Sequence, residues 1–574
     1  MDWELCLHVR CDCTDKLYRM VPIFLRQLTD PEDCRMEESQ PEIWLAMEQE
    51  VLEHKSDGRT FADLTAYRGI ALWWFIRFRF FHRARTTSLI RTLTSNTLVF
   101  SVADFVYDLS TSVICRIVTL LLSKSAAGTG KTVLITVHDR DWKNMSSPTG
   151  EKWKGDAFFD SVIRDLQKKG FRIVTVTPLK ADLMGGLKTM VSRIKHQRPK
   201  MVHREFNSCW SMKIWKMEKD AKRAFRDNWR EASKNEELIS VLKKAGLEAD
   251  LPYYFHNIFG WVAKSIDMAG NLLDKEKPDF ILVSSEHGII QKSIMVAGKM
   301  REIPTMALQH GTIGTVHKGY LSWKGSISES GDIESPFCPI PDKTAVFGPY
   351  YVDLLTKVSA YPPDTVVATG QPRYDALAEA GHIYDREKFC TRLNLDSKKK
   401  VVLVVTENMP IPDGTTLLRS TLEALNEFPE LQVVIKPHPA EEGEWYAEVV
   451  KEENAKTVIL SKGADTYEAL YACDLFVGSY STVILEAVIL GKLGVTAYLA
   501  KGNDPTPYFK EVTSRVYREE DIGPEIRKTL YDDKTRERLK QSVAKFVFEH
   551  AYKMDGKATE RVTNLIQKMI EGKI

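Results

Sequence analysis

The chain has 574 residues, which at roughly 100–200 residues per domain suggests three or four folded units. Hydrophobic content of 43% against 28% charged residues lets it bury large cores and argues against a disordered chain. A formal net charge of only +2 gives no global attraction to nucleic acid, so no nucleic-acid partner is expected.

Nine cysteines are scattered along the chain. The one tight group, Cys6, Cys11 and Cys13, has no second Cys or His pair at zinc-finger spacing, so free thiols in a reducing compartment are expected. Met1-Asp2-Trp3-Glu4 is acidic where a secretory leader carries its positive charge. The most apolar stretch, 97–122, is interrupted by Asp104, Asp108 and Arg116 and falls short of an uncharged spanning segment. These features predict a cytoplasmic protein that does not span a membrane.

Residues 1–125 read as a helical region. Within it, 71–83 mixes aromatic rings with Arg77, Arg79 and Arg83. That mixture suits a helix buried beside the main domain, or one resting on a membrane surface with its guanidinium groups on phosphates. Next, Ala126-Ala127-Gly128-Thr129-Gly130-Lys131-Thr132 imitates a phosphate-binding loop. It has Ser125 where the first glycine belongs, and it precedes a strand instead of following one.

From 132 the texture becomes β-strands alternating with helices, as parallel sheets require. Strands are expected at 132–137, 172–177, 279–284 and 304–308, forming a first domain over 126–340. A helical insertion over about 185–252 interrupts it. Inside the insertion, 211–230 carries seven Lys/Arg against three Asp/Glu, with Trp215, Lys222 and Trp229 at heptad spacing. This is either a solvated helix with one packed aromatic face or a helix facing the acceptor or a membrane. A second domain is expected over 341–530, with strands at 344–347, 365–369, 400–406, 431–436, 456–460, 474–477 and 493–497. Helices follow over 531–574.

Ligands of open α/β sheets bind beyond the carboxyl ends of the strands, so the residues there carry the functional reading. Ser285-Glu286-His287-Gly288 and Gln309-His310-Gly311-Thr312 each set an ionisable group beside a glycine that lets a ligand approach the backbone. Lys436-Pro437-His438-Pro439 holds an imidazole between two prolines. Ser479-Tyr480-Ser481-Thr482 opens a helix whose N–H groups and hydroxyls suit an anion. Glu486, one turn on, suits ribose hydroxyls. Gly370-Gln371-Pro372-Arg373 offers a guanidinium for phosphate or for an interdomain ion pair. Asp139-Arg140-Asp141 has the spelling of a metal-binding pair but follows the first strand.

The ordered set Gln309-His310-Gly311, Gly370-x-Pro372-Arg373-x-Asp375, Lys436-Pro437-His438-Pro439 and Ser479-x-Ser481-Thr482 with Glu486 resembles a known superfamily. Its members are CDP-glycerol glycerophosphotransferases, capsule polysaccharide transferases and bacterial polysialyltransferases, and the resemblance covers about 275–530. It implies an α/β GT-B fold, two Rossmann-like domains facing a cleft. It also implies transfer from a nucleotide-activated sugar or polyol to a surface glycan or lipid-linked acceptor, without metal or other cofactor. By that resemblance Glu286 or His310 is the base and His438 assists the leaving phosphate. Gly311, Thr312, Arg373, Lys436, Ser479, Ser481, Thr482 and Glu486 bind the donor. Ser481-Thr482 with Glu486 is closer to the sugar transferases than to the glycerophosphotransferases. UDP-N-acetylglucosamine 2-epimerases are the enzyme alternative, since 477–495 is similar to their helix and Gly-Lys turn, though their arginine-rich nucleotide signature is missing. A catalytically silent nucleotide- or glycan-binding scaffold is the other alternative.

Overall fold

The computed structural model describes residues 41–56, 58–81, 97–122, 130–146, 152–178, 183–196, 201–407, 411–438, 441, 444–499 and 504–574. The Cys6/Cys11/Cys13 group, His82 and Arg83, the glycine-rich loop up to Thr129, and Pro439 lie outside these residues. The described cysteines, Cys115, Cys209, Cys338, Cys390 and Cys473, are buried free thiols.

The N-terminal region is helical in the main. It contains α1 (Pro41–Glu53), α2 (Trp73–Phe81) and α3 (Thr97–Leu122), with two short antiparallel pairs, 55–60 and 66–71, between α1 and α2. The described part of the aromatic–arginine segment is a core helix: Trp73, Trp74, Phe75 and Ile76 are buried. Arg77 is buried with them. It grips Glu48 through Nε and Nη2 (3.1 and 2.6 Å) and donates to the Leu321 carbonyl, which ties this region to the first domain. A buried guanidinium persists only when paired and hydrogen-bonded in this way.

The face that stays apolar and exposed belongs to α3. Val102, Val106, Leu109, Val113, Ile117, Leu120 and Leu121 point outward, the last two more than 70% exposed. The charges expected to interrupt it are fastened to the protein instead. Lys264 binds Asp108 at 2.6 Å, Lys222 binds Asp104 at 3.3 Å, and Arg116 donates to the carbonyls of Ser208 and Trp210. By length and composition 104–122 is sufficient to cross a membrane.

The first domain follows as β1 (Thr132–Thr136), a β2–β3 hairpin (Trp142–Ser146, Lys152–Asp156), α4 (Asp160–Lys168), β4 (Arg172–Thr177), α5 (Leu183–Lys195), β5 (Met201–Glu205), α6 (Met212–Ala232), α7 (Phe259–Glu276), β6 (Phe280–Val283), α8 (Ile289–Lys299), β7 (Thr305–Leu308), β8 (Lys343–Val346) and β9 (Val366–Ala368). Seven of these strands form one parallel sheet in the order β9-β8-β7-β6-β1-β4-β5. Runs such as TVLIT, FILV and TMAL are buried throughout, as strands covered on both faces must be.

Two expectations are corrected here. Strands β8 and β9, assigned from sequence to the second domain, continue the first sheet, with Met306 paired to Lys343 and Thr344 to Val366. Repeating βα units look alike in sequence, and nothing local marks which sheet a strand joins. The 185–252 insertion is not purely helical, because it contains β5, the edge strand that pairs with β4. Its sequence, MVHRE, is too polar to signal a strand. Helix α6 is capped by Ser211 and buries Ile214, Ala221 and Phe225, so its aromatic face is packed.

The second domain contains β10 (Val401–Val405), α9 (Ile411–Asn426), β11 (Gln432–Lys436), β12 (Thr457–Ile459), α10 (Thr466–Ala472), β13 (Leu475–Gly478), α11 (Thr482–Ile489), β14 (Leu493–Ala497) and β15 (Ser514–Val516). Its parallel sheet runs β12-β11-β10-β13-β14-β15. The chain then returns through α12 (Asp533–Ala551) to α13 (Ala558–Ile570). Val562, Ile566 and Met569 of α13 join the core of the first sheet. Two parallel α/β sheets clasped by a returning helix form the expected GT-B arrangement.

Candidate active site in the interdomain cleft

Each sheet has one point where the strand order reverses: between β1 and β6 in the first, and between β10 and β13 in the second. The crevice beyond the carboxyl ends at such a point is where α/β folds bind ligands. In the first domain it is bordered by His138, the 285–288 turn and the neighbouring 309–312 loop. In the second it is bordered by Thr406-Glu407 and by the 479–482 turn.

On the first-domain side, Glu286 is enclosed. Its carboxylate accepts hydrogen bonds from the hydroxyls of Tyr361 and Thr344, and only 2% of the residue is exposed. Burial raises its pKa, against the lowering influence of Tyr361, Lys292 and Thr344. The half-buried rings are histidines. His287 lies 5.8 Å from His310, 5.1 Å from His317 and 5.3 Å from Tyr320, centroid to centroid. The Gly319 N–H donates to His317 Nδ1 (3.1 Å), which leaves the proton of the neutral ring on Nε2. The 309–311 turn is pinned from below. Gln309 donates to the Gly311 carbonyl and accepts from Phe347 N–H, while Gln371 donates to the Gln309 carbonyl. These bonds join the Gln-His-Gly and Gly-x-Pro-Arg motifs physically. Gly370 makes the turn between them possible with φ +77°.

On the second-domain side, the N–H groups of Ser479, Tyr480 and Ser481 all point at Oε1 of Glu407, at 3.0, 2.9 and 2.9 Å. The turn read from sequence as open to an external anion therefore already holds one of the chain's own. Burial lifts the pKa of Glu407 to about 7, in spite of these donors and of Arg515. Ser481 caps α11 through the Val483 N–H. Lys436 is buried, and its ammonium donates to the carbonyls of Pro437 and Lys462. Burial, then the charge of Lys143, lowers its pKa to about 8. His438 is half-buried at the end of β11. Its N–H is shared by Thr406 Oγ1 and Glu441 Oε2, which orients the loop.

The two sides meet at α11. Thr312 N–H donates to Thr482 Oγ1 (3.3 Å), close above Gly311, where a Cβ would sit 3.3 Å from the same oxygen. Arg373 reaches Glu486 at 2.9 Å, and Tyr467 donates to the same carboxylate oxygen at 3.2 Å. Arg373 makes the interdomain ion pair foreseen for it, and Glu486 is buried under it.

The cleft thus brings His310, Gly311, Thr312, Arg373, Ser481, Thr482 and Glu486 together. Lys436 is fastened behind its own loop, and Glu286 beneath the strand ends. Sequence reasoning passed over Glu407, His317, Tyr467 and Arg515. Glu407 directly follows a strand that was recognised, and His317 stands seven residues past His310. Among the described residues one acidic group has metal-ligand spacing, Asp104, Asp108 and Glu218. Lys264 already sits among them at 3.6, 2.6 and 3.5 Å, so a built-in ammonium balances their charge. Asp139 faces the buried Arg193 at 3.6 Å.

Several solved structures are similar to this chain. The S. aureus MnaA–UDP complex matches at 13% identity over 77% of this chain and 97% of that one, with a TM-score of 0.45. The UDP-GlcNAc 2-epimerase from Neisseria meningitidis bound to UDP-GlcNAc matches at 12% over 76% and 99%, TM-score 0.45. The wall teichoic acid polymerase TagF with CDPG matches at 12% over 83% and 98%, TM-score 0.42. Comparison with curated proteins finds no match. The family model described as CDP-Glycerol:Poly(glycerophosphate) glycerophosphotransferase matches residues 280–568, a span from β6 to α13 that contains all four motifs. With half its length inside that model and the motif loops assembled in one cleft, the chain belongs to the CDP-glycerol:poly(glycerophosphate) glycerophosphotransferase family of transferases.

Proposed function

We propose that the protein transfers a sugar or polyol-phosphate unit from a nucleotide-activated donor to a hydroxyl of a surface glycan or lipid-linked acceptor, and needs no metal to do so. The observation that carries this reading is the meeting of the 310–312 loop with Thr482 across the cleft, at the strand ends of both sheets. His310 is half-exposed there and is the base of choice. Glu286 is enclosed and supports the turn from beneath. As the acceptor oxygen attacks, His310 takes its proton. The departing phosphate is received by the hydroxyls of Ser481 and Thr482, the positive end of α11 and His438.

For a sugar donor the new bond forms at the anomeric carbon, and a nucleoside diphosphate leaves, or a nucleoside monophosphate where the sugar is activated as CMP. For a polyol-phosphate donor it forms at phosphorus and a nucleoside monophosphate leaves. The family description favours the second chemistry; Ser481-Thr482 with Glu486 favours the first.

The test is thermal stability against CMP, CDP, UDP, GDP, CDP-glycerol and UDP-N-acetylglucosamine, followed by identification of the nucleotide released. A ligand at about a hundred times its Kd adds about 2.7 kcal/mol. Stabilisation lost in His438→Ala and Ser481→Ala supports the donor site. No stabilisation by any of the panel overturns it and favours a scaffold. Free epimerised sugar formed without acceptor would point to an epimerase.

The outward face of α3 supports a peripheral contact with a membrane on the cytoplasmic side, where a lipid-linked acceptor would be anchored. Its charged residues hold the protein while its aliphatic residues stay exposed. Pelleting with anionic vesicles is expected for the native chain and not for Leu120→Glu/Leu121→Glu; equal pelleting of the two rejects this face.

A further inference from the structure

We propose that Glu407 is a resident anion of the donor site, sharing the Ser479–Ser481 amide groups with the donor's phosphate, and that it takes up a proton when the donor binds. The inference rests on the reading of this crevice as the donor site. It begins from three consecutive N–H groups that converge on a single carboxylate oxygen. Successive amides aimed at one point form an anion-binding nest, and this one stands where the order of the second sheet reverses, at the entrance to α11. A side-chain carboxylate therefore occupies the place where the fold concentrates positive potential.

The second oxygen of Glu407 is buried and accepts no hydrogen bond. The elements packed around it bring little free positive charge. Arg515 on β15 donates to the Ser479 carbonyl, but its charge is matched by Asp504 at 2.7 Å. At the end of β11, Glu441 is bonded to Thr406 and to the His438 N–H, and Lys436 is turned onto backbone carbonyls. Glu486 on α11 is paired with Arg373. Among the described residues Lys143 is a further cation whose charge reaches this crevice, where it acts on Lys436 and Glu486. A donor phosphate brought to the 479–481 turn meets the negative charge of Glu407 at shorter range, on the same amide groups. Two anions at one positive pole raise each other's proton affinity. The lower-cost state of the complex has Glu407 as the neutral acid, its proton taken from solvent. The burial that already lifts its pKa to about 7 makes that proton accessible near neutrality.

By linkage, a site that gains one proton on binding loses affinity by up to tenfold per pH unit above its free pKa. The experiment is calorimetric titration of the full chain with CDP-glycerol and with UDP-N-acetylglucosamine from pH 6 to 9, where their pyrophosphates do not titrate. Lys436, lowered to about 8, adds its own dependence in every variant that keeps it, so the readout is a difference. Wild type and Glu407→Gln should bind alike at pH 6. At pH 8.5 the Gln variant should bind about tenfold more tightly. Parallel pH profiles for the two proteins overturn the proposal while leaving the donor site standing. Absence of binding by the wild type at every pH overturns both. A second measurement does not need the Gln variant to fold. In Lys436→Met, with Glu407 intact, titrations at pH 8 in buffers of different ionisation enthalpy should register proton uptake, and zero uptake overturns the proposal.

Discussion

The two halves of the cleft are built from different materials. At the strand ends of the first domain the polar groups are side-chain rings: His310, His317 and Tyr320 each lie within 6 Å of His287, centroid to centroid. At the strand ends of the second domain they are backbone amides and hydroxyls, ordered around Glu407 and the start of α11. Imidazoles move protons near neutrality; oriented amides hold charge without exchanging it. Under the proposed function the first half takes the acceptor's proton and the second holds the donor phosphate, and this division can be broken by experiments on either side.

The largest expected effect is on the first half. Loss of a general base typically costs 10²–10⁴-fold in rate. His310→Ala should lower kcat by about that factor while nucleotide binding, a property of the other half, stays within about twofold. Measured by product release and calorimetry, an equal loss of both would erase the division. The next effect falls on what joins the halves. Arg373→Ala leaves Glu486 buried beside Tyr467 without its cation. Uncompensated buried charges cost about 3–5 kcal/mol, and since Arg373 is itself a quarter exposed the lower end applies. Chemical denaturation should show about 3 kcal/mol less stability, recovered in part by Arg373→Ala/Glu486→Gln.

The same contrast explains what was legible in the sequence. Most strands of both sheets were readable because buried parallel strands are continuous aliphatic runs; the edge strands β5 and β15, short and polar, were not. The motif loops were readable because histidine, proline and glycine announce themselves at strand ends. Partnership was not readable. Nothing in the letters around Glu407 indicates that its carboxylate fills the 479–481 turn, because the three donors are backbone groups shared by every residue. Strands β8 and β9 were misassigned for a related reason, since a strand's neighbours are chosen by the whole chain. The aromatic–arginine segment is the buried helix of the two readings it allowed, because an arginine that finds a buried carboxylate, as Arg77 finds Glu48, ceases to be a surface residue. The aspartates that made α3 look broken found Lys264 and Lys222.

Buried carboxylates offer a smaller, pH-resolved test. Glu205 ends the edge strand of the first sheet beside Thr177 and His203. Burial raises its pKa to about 8, against the influence of the Thr177 hydroxyl and Arg193. Its unfolded value is near 4.5, so the folded state keeps its proton where the unfolded state has lost it. The stability it contributes is complete below about pH 4.5 and is lost as pH rises through 8. His203, which burial holds well below its usual 6.5, acts in the opposite sense, lowering stability as pH falls below that value. Between pH 7 and 8 Glu407, raised to about 7, titrates in the same sense as Glu205, while Lys436, lowered to about 8, titrates in the opposite sense and offsets it. The net change over that unit is then the contribution of Glu205, a decline in stability of about 1 kcal/mol. Thermal melts of Glu205→Gln should be flat across the same interval. A wild-type profile that is equally flat would mean the edge of the first sheet admits water.

The smallest effect separates two glycines, one in each half. Gly370 (φ +77°) turns the chain into the Pro-Arg segment of the first half, and Gly491 (φ +69°) ends α11 in the second. Both hold a left-handed backbone that costs an alanine roughly 1–2 kcal/mol. They differ in what the new methyl would meet. At Gly491 it enters open space. At Gly370 it comes within 3.2 Å of Ala558 Cβ and 3.3 Å of Arg561 Nη2, on the segment that returns from the second domain. Arg561 also donates to the Thr369 carbonyl, so it cannot retreat without losing that bond. Gly491→Ala should therefore lose about 1 kcal/mol and keep full activity. Gly370→Ala should lose about 1 kcal/mol more and also lower kcat, because the same turn positions Gln371 under the His310 loop. Equal stability losses at the two positions would show that α13 yields to the methyl group, and that the returning helix does not hold the turn in place.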